Sequence, residues 1–188
     1  MIHAVLIFNT AGVPRLTKFY TPVHLSVQTL VQKIFSLIYL RPVGLCNFLD
    51  APELEPYLAQ NEEGEGWRVV YRSYATLFFV FVIDGAESEL GILDLIQVFV
   101  ESLDRAFENV CELDLVHHIL AEIIQGGLVL ETNVVDIDDS VQLAAKLRRE
   151  SYASSNPLAL GGGLAPRASN LQTPLGWLTG KLTGVGAR

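Results

Sequence analysis

The sequence predicts an α+β domain in which helices pack on an antiparallel sheet. Two stretches, 1–20 and 67–84, each contain two β-rich runs joined by a short turn, which is the pattern of a β-hairpin. Most of the segment 90–150 has apolar residues at helical spacing instead. Consecutive hairpins build an antiparallel sheet, and helices grouped mainly after the strands cover it.

Each element follows from its local pattern. Met1–Phe8 is apolar throughout, as in a strand buried on both faces, and Gly12 with Pro14 marks the turn after it. Leu77–Asp84 is aromatic and β-branched, which predicts a central strand. Residues 50–66, with six acids, two Pro and two Gly, predict an exposed loop. The predicted strands are Met1–Phe8, Arg15–Tyr20, Cys46–Leu49, Trp67–Tyr74 and Leu77–Asp84, and the predicted helices are Leu25–Leu40, Leu90–Phe107, Leu115–Ile124 and Thr132–Glu150.

The helix Leu90–Phe107 is predicted to be amphipathic, with one apolar and one polar stripe. The apolar stripe consists of Ile92, Leu95, Ile96, Phe99, Leu103 and Ala106, and the polar stripe of Asp94, Gln97, Glu101, Asp104, Arg105 and Glu108. Val98 falls within the polar stripe, which makes it an exposed apolar candidate for a subunit interface.

Composition divides the chain into a domain, 1–150, and a tail, 151–188. All 21 acidic residues and 10 of the 13 basic ones lie in 1–150, a net charge of −11, whereas 151–188 carries +3. Gly, Pro, Ser and Ala dominate the tail, which predicts disorder. The mean hydropathy of +0.34 is high for a soluble monomer. It indicates either a surface that companion chains cover or a generous core.

Residue patterns argue against an enzyme, a metal site and a nucleic-acid-binding protein. His117 and His118 are adjacent, so on a helix they point about 100° apart and cannot share one metal. His3 lies in a predicted strand, where a core or edge position with satisfied hydrogen bonds is expected. The carboxylates lie on solvated segments, which do not raise a carboxyl pKa as a general acid requires. An acidic body repels phosphates. We therefore predict no catalytic residue, no metal and no cofactor.

Two cysteines, Cys46 and Cys111, are too few for a disulfide framework or a four-cysteine zinc site, and they fit a reduced cytosolic chain.

Several motifs resemble the small (sigma) subunits of clathrin adaptor complexes, and those of adaptor protein complex 3 in particular. The run Asn109-Val-Cys-Glu-Leu-Asp-Leu115 resembles a motif of the whole sigma family. The run Glu87-Ser-Glu-Leu-Gly-Ile-Leu-Asp-Leu-Ile-Gln-Val-Phe-Val-Glu101 resembles complex 3 more than complexes 1 and 2. Tyr71-Arg-Ser-Tyr-Ala-Thr-Leu77 and the N-terminal strands agree, and the resemblance covers about residues 1–150.

The resemblance implies a longin-like (SNARE-like) fold, a five-stranded antiparallel sheet flanked by helices. It implies a heterotetramer with a large delta subunit, a beta chain and a mu chain, and peripheral association with the cytosolic face of Golgi, endosomal and transport-vesicle membranes. The expected function is vesicle-mediated transport of cargo from Golgi or endosomes to lysosome or vacuole. The family's sigma chains help to bind acidic dileucine sorting signals on cargo tails.

The resemblance also gives candidate residues for the signal-binding site. It places Ala75, Leu77, Val100 and Leu115 in an apolar pocket for the leucines, with Asn109 hydrogen-bonding the peptide and Arg15 facing its acid. Structural roles are open for several of them. Val100 lies about 60° from the centre of the apolar stripe, where a peripheral core residue also fits. Ala75 suits a tight turn, Asn109 a helix C-cap and Arg15 an ordinary exposed strand position.

The chain departs from the family pattern after Leu115, where about six residues are missing. A helix shortened by six residues loses about 9 Å and turns its face by about 120°, which puts Leu115 and the adjoining pocket wall in question. Two other functions are alternatives: the sigma subunit of another clathrin adaptor complex, and a longin-type tethering or GTPase-regulator subunit.

Overall fold

The computed structural model describes residues 1–24, 26–42, 44–58, 66–107 and 113–155. The chain divides into two compact units, Met1–Leu147 and Arg148–Arg188. In the second unit the described residues, 148–155, are the last turns of a helix. None of the described helices combines the length and the apolar composition that crossing a bilayer requires.

The described residues form seven strands and four helices. The strands are β1 (Ile2–Asn9), β2 (Pro14–Phe19), β3 (Phe48–Asp50), β4 (Arg68–Tyr74), β5 (Leu77–Ile83), β6 (Ile124–Gln125) and β7 (Leu128–Val129), and the helices are α1 (Val27–Tyr39), α2 (Glu89–Phe107), α3 (Leu113–Ile123) and α4 (Val134–Ser155). A short 3₁₀ turn spans Pro52–Leu54.

Five strands form one antiparallel sheet in the order β2-β1-β5-β4-β3, so β5 is central as predicted. The predicted α+β, longin-like arrangement of a five-stranded antiparallel sheet with helices is confirmed. Alternate residues of β1 and β5 face opposite sides of the sheet, and both sides are buried. This explains why these two strands are apolar at nearly every position.

One side of the sheet is covered by α1. The helix buries Leu30, Ile34 and Ile38, which recur at the predicted helical spacing, against the alternate residues of β1 and β5 that face it. Trp67 and Leu54 complete this core from the segments around β3 and β4.

The other side is covered by α2, α3 and α4. All six residues of the predicted apolar stripe on α2 are buried there, so that prediction is confirmed. Ile119 and Ile123 of α3 join them, as do Ile137 and Val141 of α4.

The predicted turn between β1 and β2 is confirmed. The side-chain Oδ1 of Asn9 accepts hydrogen bonds from the backbone N–H groups of Ala11 (3.1 Å) and Val13 (2.8 Å). Gly12 has φ +76°, a left-handed conformation that costs glycine little.

The β6–β7 hairpin after α3 was not predicted. Gly126 and Gly127 form its two-residue turn with φ +60° and +83°. The backbone N–H of Ile2 donates to the carbonyl of Gly127 (2.9 Å), which ties this hairpin to the start of β1.

Other expectations differ from the structure. The prediction of an exposed loop over 50–66 is wrong at its start, because Ala51, Leu54 and Leu58 are buried in the core on the α1 side; residues 59–65 lie outside the described part. Val98 is half-buried, not exposed, and lines a groove that Val129 also lines. Helix α4 continues to Ser155, five residues past the predicted boundary of the tail at 150, and the remainder, 156–188, is outside the described residues.

Candidate functional site

A cavity of about 340 Å³ opens on the α2–α3 side of the sheet, near the turn between β4 and β5, and we call it the main cavity. It falls in the size range of small-ligand pockets. The residues that line it are Ile7, Arg15, Leu16, Tyr74, Leu77, Phe79, Val100, Leu103, Asp104 and Val116.

Strand register builds the floor of the main cavity. Ile7 pairs with Leu16 on one side and with Phe79 on the other, so the three side chains form a row across β2, β1 and β5. Tyr74 and Leu77 pair across the end of the β4–β5 hairpin. All five are apolar or aromatic, because this face of the sheet is otherwise covered by helices.

Helices supply the opposite wall. Val100, Leu103 and Asp104 stand at i, i+3 and i+4 on α2, so their side chains point to the same side of that helix. Val116 of α3 adds a further apolar contact. Leu103 and Val116 are buried, whereas Val100 is half-buried, as expected for a residue at the rim.

Two charged residues of opposite sign lie at the mouth of the main cavity. Arg15 and Asp104 are both exposed, and neither forms an ion pair with any residue in the described part of the chain. An acidic ligand group is attracted to Arg15 and repelled by Asp104, so it is restricted to the β2 side of the mouth.

A hydrogen-bonded network fixes the ring of Tyr74 beside the main cavity. Gln97 Oε1 accepts from Arg72 Nη1 (3.0 Å) and from the Tyr74 hydroxyl (3.4 Å), while Gln97 Nε2 donates to Glu101 Oε1 (2.7 Å). The guanidinium of Arg72 also lies 5.5 Å from the centroid of the Tyr74 ring. The network supports one wall. Its four residues lie within the two runs Tyr71–Leu77 and Glu87–Glu101, but the resemblance assigned none of them to the site.

Three of the six residues assigned from the resemblance meet at the main cavity: Arg15, Leu77 and Val100. They come from β2, β5 and α2, far apart in the chain. Leu115 is half-buried against the core but does not line the cavity, and its neighbour Val116 does. Ala75 is exposed in the β4–β5 turn with φ 51°, as its alternative role in a tight turn requires. Asn109 lies outside the described residues.

Sequence reasoning missed most of the floor and part of the wall. Leu103 and Asp104 follow from Val100 by helical spacing, and Phe79 follows from Leu77 by strand alternation. The contributions of Ile7 and Leu16 depend on which strands are neighbours, which no local pattern indicates. Tyr74 follows only from the register of the second hairpin.

His3 is a buried titratable residue, and it lies away from the main cavity. Its Nδ1 is 2.6 Å from Thr21 Oγ1, its Nε2 is 3.3 Å from Asp84 Oδ2, and its ring meets Trp67 edge-on at 4.5 Å, as expected for a core residue with satisfied hydrogen bonds. Burial lowers the pKa of His3, and this outweighs the hydrogen bond and charge of Asp84. Burial by itself raises the pKa of Asp84, but hydrogen bonds from the terminal ammonium of Met1 and from His3 lower it overall.

Among the described residues there is no group of three or more His, Cys, Asp or Glu placed to hold a metal ion.

Comparisons with known proteins point to one family. The model of the family described as "Clathrin adaptor complex small chain" matches residues 1–148. The chain is 49% identical over 176 residues to "AP-3 complex subunit sigma" of Schizosaccharomyces pombe, covering 90% of this chain and 99% of that protein. It is 47% identical over 156 residues to "AP-3 complex subunit sigma-2" of Homo sapiens, covering 79% of this chain and 77% of that protein.

The fold is similar to a chain of a structure titled "Homology model of the full-length AP-3 complex in a stretched open conformation". The TM-score is 0.59 at 44% identity, covering 82% of this chain and 99% of that chain.

Proposed function

Because the chain belongs to the clathrin adaptor complex small chain family, we propose that it is the sigma subunit of an AP-3-type adaptor complex and acts in vesicle-mediated protein transport. The family consists of adaptor subunits rather than enzymes. The partners that follow from this proposal are a large delta chain, a beta chain and a mu chain. The route is from Golgi or endosomes to lysosome or vacuole, at the cytosolic face of the membrane.

Exposed apolar side chains support a place within an assembly. Leu128 and Leu130 project from the β6–β7 hairpin region, and Leu143 and Leu147 are more than half exposed one helical turn apart on α4. Clusters of this kind are typically covered in a complex.

The specific task we propose is recognition of acidic dileucine signals at the main cavity. The observation that carries this proposal is the convergence of Arg15, Leu77 and Val100 on a single apolar cavity with a cation at its mouth. Burying each leucine of a signal contributes about 1.5–3 kcal/mol. Arg15 adds less, because an exposed ion pair is worth about 0–1 kcal/mol, but it fixes the position of the acidic residue.

Peptide capture tests this proposal. The full-length chain is co-expressed with the AP-3 delta, beta and mu chains, and its affinity for a peptide of the pattern Glu-x-x-x-Leu-Leu is measured by fluorescence anisotropy. Val100→Asp should weaken binding at least about tenfold, because it places a carboxylate against an apolar ligand. Leu90→Asp is the matched control, since it also replaces an apolar residue of α2 by Asp, but at an exposed position that does not line the main cavity.

Co-purification of the four chains is recorded for both variants. Equal peptide affinity of the parent and of Val100→Asp, with assembly intact, would remove the main cavity from signal recognition. Co-purification with the large chain of a different adaptor complex would assign the subunit to that complex instead.

A further inference from the structure

A second cavity, of about 420 Å³, lies between the edge strand β2, helix α3 and the β6–β7 hairpin, and we call it the edge cavity. Lys18 and Tyr20 line it from β2, and His117 and Leu120 line it from α3.

The edge cavity is lined by β2 and α3, which also contribute to the main cavity. On β2, Leu16 lines the main cavity and Lys18 the edge cavity, and these two side chains point to the same face of the sheet. On α3, Val116 lines the main cavity and the next residue, His117, lines the edge cavity. The two cavities therefore follow each other along the space between β2 and α3.

The edge cavity offers hydrogen-bond donors and positive charge in an otherwise acidic domain. Lys18 and His117 are exposed, and neither forms an ion pair with a residue that the structure describes. The Nζ of Lys18 lies 5.9 Å from the centroid of the Tyr20 ring. Burial raises the pKa of Tyr20 to about 12, so its hydroxyl stays neutral and donates to the carbonyl of Ile124 (3.4 Å). Residues 1–150 carry a net charge of −11, so the local positive charge of Lys18 is opposite in sign to the net charge of the domain.

The outer edge of β2 has backbone groups that an extended chain can bind. The N–H of Tyr20 donates to the carbonyl of His3, so in this antiparallel pair Lys18 and Leu16 also point their backbone groups toward β1. Thr17 and Phe19 then point theirs outward, and no partner for them lies in the described part of the chain. A free strand edge of this kind is a template for an added peptide strand.

We propose that the edge cavity is a second subsite for the same peptide, and that it binds an acidic side chain N-terminal to the one that faces Arg15. This inference rests on the proposed function of the main cavity. Arg15 lies at a bulge in β2, because Pro14 pairs with Phe8 and Leu16 with Ile7, and the bulge brings Arg15 to the cavity that Leu16 also lines. An extended peptide advances about 3.3–3.6 Å per residue, and Arg15 and Lys18 are three residues apart. The second acidic residue is therefore placed about three residues before the first.

A peptide fits these observations better than a lipid headgroup. A phosphorylated headgroup has no alternating N–H and C=O groups, whereas the free backbone groups of Thr17 and Phe19 match those of an extended polypeptide beside the same lysine.

The test uses the co-expressed four-chain complex and peptides of the pattern Glu-x-x-x-Leu-Leu with a second Glu placed two, three or four residues before the first, each compared with Gln at that position. The second Glu should tighten binding roughly two- to fivefold, the size of an exposed ion pair, with its maximum near three residues. Lys18→Ala should abolish this gain, and His117→Ala should reduce it. Lys146→Ala, which removes an exposed charge on α4, should leave it unchanged.

A charge exchange makes the assignment specific. Lys18→Glu should disfavour the peptide with the second Glu and favour a peptide with Lys at that place, which is the pairwise coupling that a double-mutant cycle measures. Vesicles containing a phosphoinositide form a separate arm of the experiment. Loss of vesicle binding in Lys18→Ala without any change in the peptide gain would assign the edge cavity to a lipid and overturn the proposal.

The outcomes also separate the two proposals. Two outcomes contradict the second subsite alone. In the first, the parent peptide binds in a way that depends on Val100, but a second Glu has no effect at any position. In the second, the gain in affinity from the second Glu survives Lys18→Ala. Absence of any dileucine-dependent binding contradicts the main cavity, and the second subsite with it.

Discussion

The two faces of the sheet are built from the same strands, yet in the part of the chain that the structure describes the cavities reported above all lie on one of them; we call the α1 side closed and the α2–α3 side open. On the α1 side, Leu54 and Leu58 from the segment after β3 fill the space that α1 leaves, and the core is continuous. On the other side, α2 and α3 pack against the sheet, and the main cavity lies between them and the strands, near the β4–β5 turn.

The difference shows how one sheet can serve stability and binding at once. β1 and β5 are buried on both sides, so their alternate residues contribute to a closed core and to a cavity floor in the same strand. Ile7 and Phe79 face the main cavity, and their neighbours Leu6 and Val80 face α1. Ile7, Leu16 and Phe79 at the floor leave little apolar area in contact with water when the cavity is empty, because most of each side chain is already buried, so the empty cavity costs little stability.

Truncation of one residue on each face gives the largest expected difference in stability. Ile34→Ala on the closed side should lower the free energy of unfolding by about 2–5 kcal/mol, because Ile34 is fully buried and leaves a void. Leu77→Ala, at a half-buried cavity wall, should cost less than about 1.5 kcal/mol, because part of this side chain is exposed already. Urea denaturation of the full-length chain measures both.

Peptide affinity should respond to the same two variants in the opposite order. Leu77→Ala removes part of the main cavity, whereas Ile34→Ala acts on the far side of the sheet. Equal losses of stability for the two variants would mean that the cavity wall is packed as tightly as the closed core, and the contrast between the faces would not hold.

A smaller effect on stability is expected at the β6–β7 hairpin, where the carbonyl of Gly127 accepts a hydrogen bond from the N–H of Ile2. Gly127→Ala should destabilise the chain by about 2–4 kcal/mol, because φ +83° is strained for alanine and the added Cβ would overlap the carbonyl oxygen of Ile2. Gly126→Ala is the matched control. Gly126 also has positive φ, but its Cβ would meet nothing within 4 Å, so the expected cost is about 1 kcal/mol. Thermal unfolding that ranks the two alanine variants equally would show that the close approach to Ile2 contributes nothing.

Sequence reasoning succeeded where the local spacing of apolar residues decides the secondary structure. The apolar stripe of α2 and the two hairpins follow from spacing and turn residues alone. Helix α1 follows from the spacing of Leu30, Ile34, Leu37 and Ile38, of which Leu37 is only half-buried. It failed over 51–58, where acidic residues and prolines dominate the composition. Ala51, Leu54 and Leu58 are buried there and Tyr57 is partly buried, and this burial depends on the space beside α1.

The site was less predictable than the fold because it is assembled from distant segments. The motif containing Val100 indicated one wall, but the identity of the opposite wall depends on β2 lying at the sheet edge beside α3. The shift from Leu115 to Val116 has a similar cause. Adjacent residues of a helix face directions about 100° apart, so the start and rotation of α3 decide which one reaches the cavity.

The smallest expected effect concerns His3, a titratable ring in contact with the closed core through Trp67. Burial lowers the pKa of His3, so the folded chain binds this proton less readily than the unfolded chain, whose histidine titrates near about 6.5. The unfolded state therefore takes up more protons below that pH, and stability should fall as the pH drops from 7.5 through 6.5 toward 5.

Urea midpoints at pH 7.5 and 5.0 measure this acid sensitivity. His3→Gln should reduce it, because the variant keeps a polar side chain but no group that gains a proton in this range, while His24→Gln, which removes an exposed ring, should retain the sensitivity of the parent. Asp84 cannot cause this acid sensitivity of stability in place of His3. The pKa of Asp84 is lowered, so its contribution is present above the usual carboxyl range and is lost only at more acidic pH than this measurement reaches. An unchanged difference between the two midpoints in His3→Gln would mean that the closed side tolerates a charged ring, and that the contrast between the faces concerns shape rather than polarity.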